Sequence, residues 1–186
     1  MWGYELWIAS THPNGMQENL KSFVGGDYPL LVKIIQANDR LSVQVHPDDE
    51  KAQLYENCRG KTECWYVLDC KEDGELIIGH NAKNKEELYS MIDDKRWDEL
   101  LRKMPIKKGD FIQINPGTIH AISSGTLILE TQQNSDITYR LYDYDRISDG
   151  KKRPLHIDKS KDVIKVPYEI YVNQKRDNNS NFILRE

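Results

Sequence analysis

Leu41-Ser42-Val43-Gln44-Val45-His46-Pro47 is the stretch on which the reading of this 186-residue chain turns. Its alternation is that of a strand. Leu41, Val43 and Val45 share one face, and Ser42, Gln44 and His46 share the other. A half-buried strand usually turns Lys, Thr or Glu to water. Here the polar face carries a hydroxyl, an amide and an imidazole in line, and the last two can ligate a metal. Positions i and i+2 are same-face neighbours, so Gln44 and His46 can clasp one ion. Two more candidate ligands follow: Glu63 in Gly60-Lys61-Thr62-Glu63-Cys64-Trp65-Tyr66, and His120 in Pro116-Gly117-Thr118-Ile119-His120-Ala121-Ile122.

Outward from this stretch the chain reads mostly as strands. Residues 29–36 form the strand before it, with Ala37-Asn38-Asp39-Arg40 as the turn. Asp48 or Asp49 caps a short helix through Tyr55. Glu63–Asp69 is a strand of aromatic and β-branched character, and 75–79 is its partner after Asp73-Gly74. From Asn84 the period changes. Asn84 and Glu87 have the spacing of a capping box, and Leu88, Met91 and Ile92, then Trp97, Leu100, Leu101 and Met104, recur at helical spacing until Pro105. The spacing predicts one bent helix or two short ones, a helical insertion at 84–104 that covers the sheet. Strands resume at 110–115, 119–122, 126–131 and 137–144. Many short strands with regular turns predict a mainly β domain, a sandwich or barrel.

The length suits one domain with a sizeable core. A formal charge of −4 argues against a nucleic-acid partner, which needs a basic surface. The longest apolar run is 29–35, and Lys33 interrupts it, so no segment approaches the ~20 apolar residues of a membrane span. The N-terminus lacks the basic and apolar regions of a signal peptide. Cys58, Cys64 and Cys70 are odd in number and have no zinc-finger or redox spacing, which fits free thiols in a reducing cytoplasm. The run 177–181 reads as a loop or frayed end.

One parity of every strand in a small barrel points inward. Gln44, His46 and Glu63 can therefore converge, and His120 can join them. Two imidazoles, a carboxylate and an amide oxygen suit a divalent ion of intermediate hardness, zinc with an open position being the natural choice. A hydrogen-bonded polar core of the same residues is the alternative.

The residues also resemble a family. The chain is similar to the type I mannose-6-phosphate isomerases (phosphomannose isomerases) of the short bacterial kind, in the cupin superfamily. The resemblance rests on Pro29-Leu30-Leu31-Val32-Lys33, the stretches 41–48, 60–66 and 109–122, Glu130-Thr131-Gln132-Gln133-Asn134-Ser135-Asp136-Ile137-Thr138-Tyr139-Arg140, and Tyr142-Asp143-Tyr144-Asp145-Arg146. It implies a cupin-like β-barrel, a jelly roll, over 1–167, with 168–186 a C-terminal extension. It implies one Zn²⁺ per chain on Gln44, His46, Glu63 and His120. Arg140 corresponds to the family's active-site arginine. Lys61, Glu130 and Asp136 correspond to pocket residues, and Ser42 to a serine near the substrate phosphate. Family members carry a longer leader, about one strand, and a second cupin domain. Monomer or homodimer both fit.

The implied reaction interconverts mannose 6-phosphate and fructose 6-phosphate through an enediol. Arg140 can hold the enediolate or the phosphate, and Glu130 and Lys61 are both candidates for the base. Strand parity groups Arg140 with Thr138 and Tyr142 on the pocket side, with Asp136 as its ion-pair partner. Other readings are a catalytically silent or truncated cupin that binds sugar phosphates, and a cupin oxygenase using iron, against which Gln44 as a fourth ligand argues.

Overall fold

A computed structural model describes residues 3–148 and 150–168. The expected extension falls outside them except for Tyr168, as does the run 177–181. In chain order the strands are β1 (Gly3–Ala9), β2 (Leu30–Ala37), β3 (Val43–Val45), β4 (Glu63–Asp69), β5 (Glu75–His80), β6 (Leu101–Pro105), β7 (Phe111–Ile114), β8 (His120–Ala121), β9 (Thr126–Gln133), β10 (Tyr139–Tyr142), and the small hairpin β11 (Ile147–Ser148) and β12 (Lys151–Lys152). The helices are α1 (Glu18–Val24), α2 (Asp49–Glu56), α3 (Lys85–Asp93), α4 (Trp97–Leu100) and α5 (Ile157–Val163).

The strands form two five-stranded antiparallel sheets, β1-β2-β9-β4-β7 and β10-β3-β8-β5-β6. No ladder joins the two sheets among the described residues, so the expected jelly roll is an open two-sheet sandwich and not a closed barrel. Ile35, Trp65, Ile112 and Ile128 from the first sheet meet Leu76 and Ile78 from the second in the core between them. The other face of the second sheet has a separate core. There Val43, Val45 and Leu141 pack under Leu88, Met91 and Ile92 of α3, Leu100 of α4 and Val163 of α5. The helical insertion is thus the covering layer that its apolar spacing calls for. On the far side of the sandwich, Tyr4, Leu6, Ile8, Tyr66 and Phe111 of the first sheet are exposed.

The local chemistry matches most of the expected boundaries. Asp48 caps α2 by accepting the Lys51 N–H at 3.0 Å, and Asn84 caps α3 by accepting the Glu87 N–H at 2.8 Å. Residues 101–104, expected as helix, form an edge strand, with Leu76 opposite Met104 and Ile77 opposite Lys103. Three residues apart on a strand, Leu101 and Met104 point to opposite faces, and each finds one of the two cores. The same apolar spacing serves a helix or a strand that bridges two cores. Gly3–Ala9, not foreseen as a strand, pairs along β2. Among the described residues no helix is long and apolar enough to cross a membrane.

Candidate metal centre and adjoining cavity

Two tight backbone approaches bring the candidate ligands together. At Gly60 a Cβ would lie 2.4 Å from the Asp48 backbone. The bare backbone fits there, its N–H donates to Asp49 Oδ1 at 2.8 Å, and the Lys61 N–H donates to the Pro47 carbonyl at 3.1 Å. The chain entering β4 is therefore laid against the chain leaving β3, and Glu63 arrives beside His46. Gly117 has φ +85°, and a Cβ on it would meet the Val163 carbonyl oxygen at 2.8 Å. Its N–H donates to the His46 carbonyl at 2.9 Å, which fixes the turn that delivers His120. His120 then stands directly across the ladder from Gln44.

The three side chains converge on one point. His46 Nε2 and His120 Nε2 are 3.2 Å apart. Glu63 Oε2 lies 3.4 Å from His46 Nε2, and Oε1 lies 3.2 Å from His120 Nε2. Four ligands at metal bonds of about 2.0–2.1 Å in a tetrahedron stand about 3.3 Å from one another, so the spacing suits a single ion. The Gln44 amide nitrogen is 3.3 Å from His120 Nε2, and turning the amide about its last bond presents the oxygen there. His120 Nδ1–H donates to the Thr118 carbonyl at 2.9 Å and leaves Nε2 as the coordinating nitrogen. Neither Glu63 oxygen accepts a well-formed hydrogen bond, and both are buried. Lys61 offsets part of the burial cost of this carboxylate, and the open oxygens can accept a cation as well. The residues present fit a divalent ion. Cys64, beside Glu63 on the other strand parity, is a free thiol like Cys58 and Cys70 and is not part of the cluster.

The charges around the point favour ligation. Burial, reinforced by the Lys61 charge, brings His46 down to about 3, and burial also lowers His120, so both imidazoles are neutral donors. Burial opposes ionisation of Glu63, but Lys61 and the two imidazoles hold its carboxyl well below the usual range. Lys61 Nζ sits 3.4 Å from Glu63 Oε2. Burial works against the Lys61 charge, and Glu63 and Glu130 outweigh it, so the ammonium is retained.

A second buried polar group lies on the same inward face. Glu130 Oε2 accepts from Trp65 Nε1 at 2.8 Å, and Oε1 faces Lys33 Nζ at 3.3 Å. Lys33 also reaches Glu5 at 3.7 Å. Burial and the Glu63 charge raise the Glu130 carboxyl above its ordinary value. Lys33, Glu5 and Trp65 had not been singled out as site residues. The one signal was a lysine interrupting an apolar run.

Beside Gln44 opens a cavity of about 290 Å³. Ser42, Gln44, Asp136 and Arg140 line it, together with Arg146 and Arg153, which sequence reasoning did not select. Lys61 and Glu130 lie deeper, near Glu63, and do not line it. Arg140 stands across the ladder from Gln44. Two expectations for its surroundings are corrected. Asp136 does not pair with Arg140. It bonds to Asn14 and lies 3.5 Å from His12 Nε2, because the chain after β1 passes over it. Tyr142 does not join the pocket face. The β10 register shifts between Arg140 and Tyr142, and the Tyr142 ring stacks on Trp97 of α4 at 4.6 Å and 14°. Arg140 instead donates from Nη1 to the Pro154 carbonyl at 2.9 Å, and its Nε is buried without a partner.

A jelly roll that gathers two imidazoles and a carboxylate beside a polar cavity defines a cupin. Residues 7–82 match the family model described as phosphomannose isomerase type I, catalytic domain. The chain is 56% identical over 165 residues to mannose-6-phosphate isomerase ManA of Bacillus subtilis (strain 168), a match that covers 88% of the chain and 50% of that relative. It shares 41% identity with the crystal structure of the mannose 6-phosphate isomerase from Bacillus subtilis, at a TM-score of 0.83, over 89% of this chain and 60% of that one. A zinc-bound mannose 6-phosphate isomerase structure matches with a TM-score of 0.64 over 87% of this chain and 66% of that one, and at 15% identity this speaks for the fold alone. In sequence and in fold the chain is thus similar to type I phosphomannose isomerases. It spans about half the length of the curated relatives it matches.

Proposed function

We propose that the chain is a zinc-dependent aldose–ketose isomerase that interconverts mannose 6-phosphate and fructose 6-phosphate, with one zinc ion on Gln44, His46, Glu63 and His120. The observation that carries this reading is a buried carboxylate without hydrogen bonds, set between two neutral imidazoles at the edge of an arginine-lined cavity. The relatives named as mannose-6-phosphate isomerases supply the substrate. The ion supplies Lewis-acid stabilisation of the negative charge that develops on the substrate's two reacting oxygens.

The chain's own residues divide the remaining work. The Arg140 guanidinium stands one ladder position from Gln44, where it holds an enediolate oxygen and keeps the substrate in place. Ser42 meets the sugar phosphate from the cavity wall, and Asp136, on the same wall, is a residue that binds the sugar. A proton leaves C2 and returns at C1, and the carrier is Glu130 or Lys61, both buried next to the Glu63 carboxylate. Comparing Glu130→Gln with Lys61→Met for solvent-proton exchange at C2 decides between them. The whole reading is tested by a coupled isomerase assay on this chain, with zinc and after chelation. Zinc-dependent turnover supports it. Binding of fructose 6-phosphate without turnover points to a sugar-phosphate sensor instead, and iron content with oxygen uptake points to an oxygenase.

A further inference from the structure

The cavity beside Gln44 has a strongly cationic side whose charges are only partly met. Asp143, 5% exposed, is the carboxylate on that side, and two arginines share it. Arg153 donates to Asp143 through Nε at 2.8 Å and Nη2 at 2.7 Å. Arg146 donates to Asp143 through Nε at 3.2 Å and also through Nη2. Arg140, the third guanidinium, has no carboxylate partner among the described residues, and its buried Nε has no acceptor. Burial and the nearby Arg153 charge push the Arg140 guanidinium below its ordinary value. The carboxylates elsewhere on the cavity wall are occupied. Glu5 is held by Lys33 at 3.7 Å and by the Trp7 indole N–H at 3.0 Å, and Asp136 by Asn14 and His12.

The arginines are not equally committed. Besides Asp143, Arg146 gives Nη1 to the Arg40 carbonyl at 2.5 Å and lies 3.6 Å from Asp39. Its fork is spent on the protein, and it braces Asp143. Arg153 uses one edge on Asp143, and its Nη1 donates to no acceptor among the described residues. Its side chain is 39% exposed, on the cavity. A guanidinium held along one edge and open along the other is a fixed, half-satisfied fork, the form that takes a phosphate oxygen pair.

We propose that Arg153, held in place by Asp143 and Arg146, is the residue that seats the phosphate group of a phosphomonoester in this cavity, with Arg140 beside it. This rests on the sugar-phosphate reading above and assigns the direction in which the substrate lies. The phosphate end points to Arg153, and the reacting end points to Gln44 and the histidine cluster. The seat is assembled from the residues after β10, not from the strands that carry the ligands.

The test uses the zinc-loaded chain and its Arg153→Gln and Arg153→Lys variants, with calorimetric titration of mannose 6-phosphate, inorganic phosphate and unphosphorylated mannose. Arg153→Gln is expected to weaken both phosphate ligands by roughly tenfold or more, the size of a lost charge-assisted hydrogen bond. It leaves the response to mannose and the zinc content as they are. Arg153→Lys, which keeps the charge but loses the fork, falls between. If Arg153→Gln does not fold, Arg153→Lys alone carries the comparison. Parent-like affinity of the folded variant for both phosphate ligands overturns the seat, even in a chain with full isomerase turnover. Loss of phosphate affinity in a chain without turnover keeps the seat and removes the isomerase reading. A parent chain that binds neither phosphate ligand overturns both.

Discussion

Glu63 and Glu130 are both buried glutamates on the inward face of one sheet, and their surroundings differ in one respect. Each Glu130 oxygen has a protein partner, Trp65 Nε1 at 2.8 Å for one and Lys33 Nζ at 3.3 Å for the other. Glu63 stands among His46, His120 and Lys61, and neither of its oxygens accepts a well-formed hydrogen bond. The first group is closed on the protein. The second has the Lys61 ammonium 3.4 Å away as its ion pair, but no hydrogen bond reaches either oxygen. A buried carboxylate whose oxygens accept no hydrogen bond, next to one that takes the Trp65 N–H, marks where a ligand belongs.

The contrast breaks most visibly at the open cluster. His120→Ala should drop zinc well below one per chain by elemental analysis and abolish isomerase turnover. Full zinc in that variant would show that the cluster is a polar core after all. At the closed cluster the effect moves from metal to stability. Lys33→Met leaves Glu130 buried and unpaired, so unfolding in denaturant should need roughly 3–5 kcal/mol less. Zinc per folded chain should not change, and a loss of metal would merge the two clusters into one site.

Arg140 separates chemistry from both. Arg140→Ala should cut turnover by a factor of ~100, about 3 kcal/mol of transition-state stabilisation, at unchanged zinc and with a small change in melting. Collapse of the fold would make Arg140 a structural residue.

Asp143 sharpens the comparison from the acid side, as another carboxylate closed by protein donors. Burial opposes its ionisation, but the bonds from Arg153 and Arg146 hold the folded carboxyl below the ordinary 3.8. A depressed value means that its contribution to stability is present above the unfolded value and is lost as the pH falls through the folded one. The urea midpoint should therefore fall further between about pH 7 and about pH 3 in the parent than in Asp143→Asn. Equal pH sensitivity would mean that the arginines do not stabilise the ionised form. Cys64→Ser should be nearly silent, with zinc retained, because its side chain takes the parity opposite to Glu63. Metal loss without unfolding would contradict that parity.

The convergence of His46, Glu63 and His120 was legible because it depends on local facts: period-2 alternation in β3, a carboxylate opening β4, and a turn before His120. The helical layer was legible through its apolar spacing and the Asn84 cap. Other parts were not, for physical reasons. Residues 101–104 carry a spacing that a helix and a two-faced strand share, and pairing with β5 decides between them. Lys33 shows as a flaw in an apolar run, but its partners lie across two different ladders, Trp7 on β1 and Glu130 on β9. Tyr142 left the expected face through one irregularity in the β10 register. Arg153 becomes part of the cavity only because Asp143 reaches both it and Arg146, which no alternation along one strand reveals.

β3 is three residues long, and it works in two currents at once. Val43 and Val45 anchor the core beneath the helices, while Gln44 faces His120 on one side of the ladder and Arg140 on the other. A slip of one residue would push valines into the polar cavity and bury the amide under Leu88 and Ile92. The packing that holds the molecule together is therefore also its proofreader. A chain that folds with β3 out of step fails as a protein before it can exist as a miswired site, so misplaced ligands are filtered out at folding.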